Sequence, residues 1–117
     1  MRYPTRVTIK SIKVLNTLAL DRFARKHRDA QAPLADWLDT VSRAVWQSRA
    51  DVRRVYPSAD GVNVRIPGGA MLAVVVFNIK GNRYRLLAVL NYAAADCRVV
   101  DVLTHAKYST GRWKDRL

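Results

Sequence analysis

Close to the C-terminus stands "THAKY", Thr104 to Tyr108, directly after the apolar run "VVDVL". Histidine, with an ordinary pKa of about 6.5, can take or give a proton near neutrality. Tyrosine, at about 10, acts as a base only where cations surround it. Upstream, "NRYR" sets Arg83 and Arg85 two residues apart. In a strand that spacing puts both on one face with Leu87, Val89 and Asn91, while Tyr84, Leu86 and Ala88 take the other. A guanidinium is planar, always charged and bidentate, which suits a phosphate. Metal-free RNA cleavage needs a group to take the 2′-OH proton, one to neutralise the phosphorane and one to protonate the leaving 5′-oxygen. Each residue also has a plainer reading. His105 can be a strand-end side chain bonded to a carbonyl, and taken alone the His-x-x-Tyr spacing favours that. The arginine pair fits a phosphate clamp and an exposed hairpin base equally well.

The charge balance bears on the choice. Twenty-one Lys and Arg stand against nine acidic residues, all of them Asp, for a net charge of +12. Such a chain attracts polyanions over long range, so RNA, a ribosome or an acidic protein is the first partner to consider. The single cysteine, Cys97, excludes an intrachain disulfide and points to a reducing compartment. His27, His105 and Cys97 have no zinc-ligand spacing, so neither a metal nor a cofactor is expected. The longest apolar run, Ala70 to Phe77, is too short to cross a bilayer, and Lys10 and Lys13 interrupt the N-terminal apolar stretch. The expectation is a cytoplasmic protein with no membrane partner.

The elements that position these residues are read from periodicity. Residues 1–117 read as one domain. "RVTIKSIKVL" alternates well enough for a short strand, and Asn16 or Thr17 is placed to cap the helix after it. Leu20, Phe23, Ala24 and His27 fall on one helical face, opposite Arg22, Arg25, Lys26 and Arg28. Pro33 suits the first turn of a second helix, with Leu34, Trp37, Leu38, Val41 and Val45 as its apolar stripe. After "RVYPSADG" the period becomes extended. Val62, Val64 and Ile66 alternate, Pro67-Gly68-Gly69 turns, and "AMLAVVVFNI" reads as a strand buried on both faces. Gly81-Asn82 is the centre of a tight hairpin into "RYRLLAVLNY", "AAAD" turns again, and "CRVVDVLTH" is the last strand. The sum is α+β: two N-terminal helices packed on a small twisted antiparallel sheet.

Four stretches in order, "RFARKHRDAQAPLADW", "DVRRVYPSAD", "VVFNIKGNRYRLLAVLNY" and "THAKY", resemble the HigB group of toxins from bacterial type II toxin–antitoxin pairs, within the RelE/ParE superfamily. They span Arg22 to Tyr108, and "FNIKGNRYR" is the most specific block. The resemblance implies a RelE-like fold and an endoribonuclease, an mRNA interferase that cuts mRNA during translation on the ribosome. It also implies a HigA-like helix-turn-helix antitoxin as partner. It makes Arg85 the phosphate-binding residue and His105 and Tyr108 its catalytic companions. Asn78, Lys80, Arg83, Arg98 and Lys107 are the expected RNA-binding residues.

Departures accompany the match. Lys107 stands where the family commonly has Glu, and Ser109 where an Asp usually follows the Tyr. Val100 replaces an Arg of the last strand, with Arg98 two residues away as a substitute. The tail "GRWKDRL" matches nothing in the family pattern. Two rival readings remain: a ParE-like toxin acting on gyrase, against which "NRYR" and the His-x-x-Tyr pair argue, and a non-catalytic basic RNA-binding module. The last predicts that His105→Ala leaves function intact while arginine changes weaken binding and its salt dependence.

Overall fold

The structure, a computed structural model, describes residues 10–117. Strand β1 (Lys13–Leu15) leads into helix α1 (Leu18–Lys26), a single 3-10 turn (Arg28–Ala30), α2 (Gln31–Arg43) and α3 (Arg49–Val55). A β-meander comes next: β2 (Asp60–Arg65), β3 (Met71–Ile79), β4 (Tyr84–Asn91) and β5 (Asp96–Thr104). Short helix α4 (His105–Ser109) and a terminal 3-10 turn (Arg112–Arg116) close the chain. The fold is α+β, but the sheet is mixed. Its order is β1-β5-β4-β3-β2, and β1 runs parallel to β5, Val14 opposite Cys97. Parallel pairing is possible because a helical crossover, not a hairpin, separates β1 from the meander. The part of the expected first strand before Lys10, with Val7 and Ile9, lies outside the described residues.

Neither Asn16 nor Thr17 caps α1 with its side chain. Asn16 instead takes a left-handed backbone (φ 65°), and its amide donates to the Val99 carbonyl at 2.8 Å. That turns the chain from strand into helix and ties the start of α1 to β5. Leu20 is buried as its spacing predicts, and Phe23 and Ala24 pack on the same core. Leu34, Trp37 and Val41 form the buried stripe of α2. Val45 is 44% exposed, because the helix ends at Arg43 and Ala44 is extended. A third N-terminal helix, α3, adds to the two expected from periodicity. It buries one side chain, Val52, so it carries no helical stripe in the sequence.

Each face of the sheet has its own core. On the helical face Phe77 meets Trp37 edge-on at 5.4 Å and Tyr56 at 5.2 Å, with Trp46 stacked at 6.4 Å. On the opposite face Val64, Val74, Val76, Leu87 and Leu103 pack with Trp113 of the terminal turn. Leu86, Leu87 and Ala88 are all buried, as a central strand with both faces covered requires. The β5 register slips where Leu87 pairs with Asp101 and Ala88 with Val99, leaving Val100 as the extra residue of a bulge.

Candidate active site

Pleating sends Tyr84 and Leu86 to the helical face and Arg85 and Leu87 to the other. Arg85 lies between Asn78 on β3 and Leu103 on β5. The residue is only 9% exposed, and it is held by acceptors of its own hairpin. Nη1 donates to the carbonyls of Asn82 (3.0 Å) and Tyr84 (3.2 Å), and Nη2 to the Asn82 side-chain oxygen (2.6 Å). Those bonds use both Nη1–H groups and one Nη2–H. The Nε–H and the second Nη2–H, a paired edge, have no acceptor among the described residues. Among the described residues Trp37 Nε1, in the other core, is the one side-chain polar atom that is both buried and without a partner, so the unbonded Arg85 Nε is not fully buried. Among the described residues no carboxylate lies within ion-pair distance of Arg85.

Helix α4 closes over that position. Thr104 caps it, its hydroxyl accepting from the Lys107 amide at 3.2 Å, and the His105 amide donates to the Arg83 carbonyl at 3.1 Å. The start of α4 is thus fastened to the β3–β4 hairpin. His105 and Tyr108 sit one turn apart, His105 exposed and Tyr108 half-buried. The Arg85 guanidinium carbon lies 5.7 Å from the Tyr108 ring centroid. Tyr108 also stacks on Trp113, centroids 5.6 Å apart and planes at 14°, and the indole N–H donates to the Tyr108 carbonyl at 3.2 Å. Burial pushes the Tyr108 hydroxyl above its usual pKa and Asp60 adds to the rise, against a smaller pull down from Arg85. The cations do not turn this tyrosine into a base. Burial wins, and Tyr108 is a protonated donor at neutral pH.

The remaining candidates separate. Asn78 is directly across from Arg85. Lys107 is exposed on α4. Arg83 does not stand beside Arg85, because it belongs to the turn before β4 and escapes the pleat. Its guanidinium pairs with Asp29 at 3.1 Å, as does Lys80 at 3.3 Å, on the helical side of the hairpin. Arg98 is exposed opposite Val89, four residues along β4 from Arg85. At ~3.3 Å per residue that is roughly 13 Å, too far to share one phosphate with Arg85.

Sequence reasoning passed over Asp29 and Trp113, and it set Asn82 aside although that residue belongs to the block that resembles the family. Asn82 was accounted for by its turn, and Asp29 is 51 residues from its partner Lys80. Trp113 had a signal, an aromatic inside a charged tail.

The model of the HigB toxin family, described as the RelE-like toxic component of a toxin–antitoxin system, matches residues 30–111. The chain belongs to this family. The match runs from the 3-10 turn before α2 through α4, so it contains Arg85, His105 and Tyr108 and stops short of Trp113. Among curated proteins the chain is 24% identical over 90 residues, 77% of its own length and 81% of the relative's, to the mRNA interferase toxin HigB of Escherichia coli K12. The mRNA interferases HigB of Escherichia coli O157:H7 and Shigella flexneri match to the same extent.

Proposed function

We propose that this toxin is an mRNA interferase, a metal-independent endoribonuclease that cuts messages as the ribosome translates them and is restrained by a HigA-like helix-turn-helix antitoxin. The observation that carries the chemistry is the guanidinium of Arg85, clamped on one edge and, among the described residues, with no acceptor on the other edge and no carboxylate partner. A nearly buried cation without a counter-ion is costly, and a phosphate on its free edge relieves that cost through two charge-assisted hydrogen bonds.

In the proposed reaction the 2′-oxygen of the message attacks the adjacent phosphorus and the bond to the 5′-oxygen breaks. The products are a 2′,3′-cyclic phosphate and a free 5′-hydroxyl. Arg85 neutralises the charge that builds on the phosphorane. His105, exposed one helical turn from Tyr108, takes the 2′-OH proton. Tyr108, kept protonated by burial, donates toward the leaving oxygen or stacks on the splayed base. Such modest acid–base machinery is consistent with a ribosome that presents the message in a reactive geometry.

The test is expression of wild type, Arg85→Ala and His105→Ala in growing bacteria with mapping of mRNA 5′ ends. Wild type should arrest growth and leave new ends inside translated messages. Arg85→Ala should lower cleavage by ~100-fold or more, the usual loss of a charge-stabilising donor. Arrest without cuts would reject the nuclease and point to a gyrase target. Cuts that persist in His105→Ala would make that histidine structural.

A further inference from the structure

We propose that Asn82 and Asp29 are positioning residues for Arg85: Asn82 fixes the guanidinium from within the β3–β4 turn, and Asp29 fixes the turn by anchoring it to the helical layer. The inference rests on the reading of Arg85 as the phosphate-binding group, and it concerns residues not assigned to the chemistry above.

Asn82 occupies two of the three acceptor positions around Arg85, through its carbonyl at 3.0 Å and its side-chain oxygen at 2.6 Å. Both face the Nη1/Nη2 edge, so they select the orientation in which the Nε/Nη2 edge has no acceptor among the described residues. Rotating the group would break both bonds at once. This holds only while the turn keeps its shape. The turn is closed by the Arg83 amide on the Lys80 carbonyl (3.2 Å), with Lys80 and Gly81 both at positive φ, 52° and 62°. A left-handed lysine is strained, and something outside the turn has to hold it.

Asp29 does so. It lies in the 3-10 turn between α1 and α2, and three side chains of the hairpin converge on it. The Tyr84 hydroxyl donates to one carboxylate oxygen at 2.6 Å, and Lys80 (3.3 Å) and Arg83 (3.1 Å) meet the other. These residues flank Asn82 on both sides. One carboxylate on the helical face therefore orders the loop that aims a cation on the opposite face.

The experiment uses the full chain with Asn82→Ala and Asp29→Asn, the latter keeping an acceptor for Tyr84 while removing the charge that holds Lys80 and Arg83. Cleavage of a translated message is followed as kcat and KM. In parallel, ¹⁵N spectra of the Arg85 side chain report whether its guanidinium rotates. Expected are separate, slowly exchanging Nη resonances in wild type that merge in Asn82→Ala and broaden in Asp29→Asn. Loss of kcat should be about 10- to 100-fold in Asn82→Ala and about threefold or more in Asp29→Asn, with KM changed less. Asn82→Ala should add nothing in an Arg85→Ala background, because it acts through that arginine. Unchanged Nη resonances in both variants, or losses that multiply in the double variant, would overturn the proposal. If Arg85→Ala itself cleaved normally, the functional reading would fall, while the resonances would still decide whether Asn82 and Asp29 hold the guanidinium.

Discussion

Trp113→Ala tests whether the tail outside the family match is part of the site's framework. The indole is 6% exposed, packs with Val64, Val74, Val76, Leu87 and Leu103, and lies parallel to the Tyr108 ring at 5.6 Å. Removing it deletes an offset aromatic pair worth ~0.5–1.5 kcal/mol and a hydrogen bond worth ~1 kcal/mol, and leaves a cavity. These contributions overlap, so the measured range for truncating a buried Trp, ~3–5 kcal/mol, is the better guide. The lower end applies, since Trp113 is five residues from Tyr108 in a terminal turn that can partly collapse into the gap. At an m-value of ~2 kcal/mol/M in urea, a loss of ~3 kcal/mol lowers the unfolding midpoint by ~1.5 M. Trp113→Phe keeps the stack and loses the N–H, so its cost is ~1 kcal/mol. A second readout separates cover from platform. Burial is the first cause of the raised Tyr108 pKa, so Trp113→Ala should bring the phenol titration, read by ¹³C NMR of the ring, back toward its ordinary value. A midpoint within ~0.5 M of wild type, with an unmoved titration, would refute the reasoning.

Asn16→Ala puts a side chain without an amide into the left-handed region and leaves the Val99 carbonyl short of a donor. It should cost ~2–3 kcal/mol by chemical denaturation, and Asn16→Gly less, because glycine accepts that backbone. The Cys97 thiol is buried and pushed up to about 12, chiefly by burial and then by Asp96. A thiol reagent at pH 8 should leave the native chain unmodified and react once per chain after denaturation. Asp29 is held below its ordinary 3.8, first by the Tyr84 hydroxyl and then by Lys80 and Arg83. Its stabilisation is therefore present above that ordinary value and lost as pH falls through the depressed one. Tyr84 is raised above 10.0 first by its bond to Asp29, so its share is present below 10.0 and lost as pH rises through the raised value. Melting temperatures of wild type and Asp29→Asn should differ by a constant amount over roughly pH 5 to 9 and converge on further acidification. Convergence inside that window would reject the anchor.

The legible part of the fold was the part set by local pattern. β3 and β4 announce themselves because a central strand buried on both faces needs an apolar run, and Val74 to Phe77 and Leu86 to Ala88 supply it. Helices α1 and α2 are readable from spacing, since Leu20, and Leu34, Trp37 and Val41, sit where one helical face places them. α3 stayed hidden because Val52 alone is buried and one apolar residue has no period. The partner of β1 was hidden for another reason. Three residues cannot specify a neighbour, and its parallel pairing with β5 depends on the helices between them. At the site, the alternation argument held for Arg85 and failed for Arg83. Pleating governs residues inside a strand, and β4 begins at Tyr84.

That one-residue boundary explains how the site keeps its charge. Two arginines at i and i+2 on one face would repel, and a carboxylate recruited to relieve them would block the edge that a phosphate needs. The chain avoids both by ending the strand between them. Arg83 is turned to the helical side, where it shares the Asp29 carboxylate with Lys80. Arg85 stays on the opposite face with neutral acceptors, the oxygens of Asn82 and Tyr84, which orient a cation without cancelling it. Acidic side chains near the site are then costly unless remote. Asp60 is close enough to raise the Tyr108 pKa but makes no ion pair with Arg85. Asn82→Asp would put a carboxylate where the neutral acceptor now stands. It should tighten the hold on Arg85 and stabilise the fold, yet lower mRNA cleavage by weakening the attraction for phosphate. A variant both more stable and fully active would show that the open charge of Arg85 is not what the site depends on.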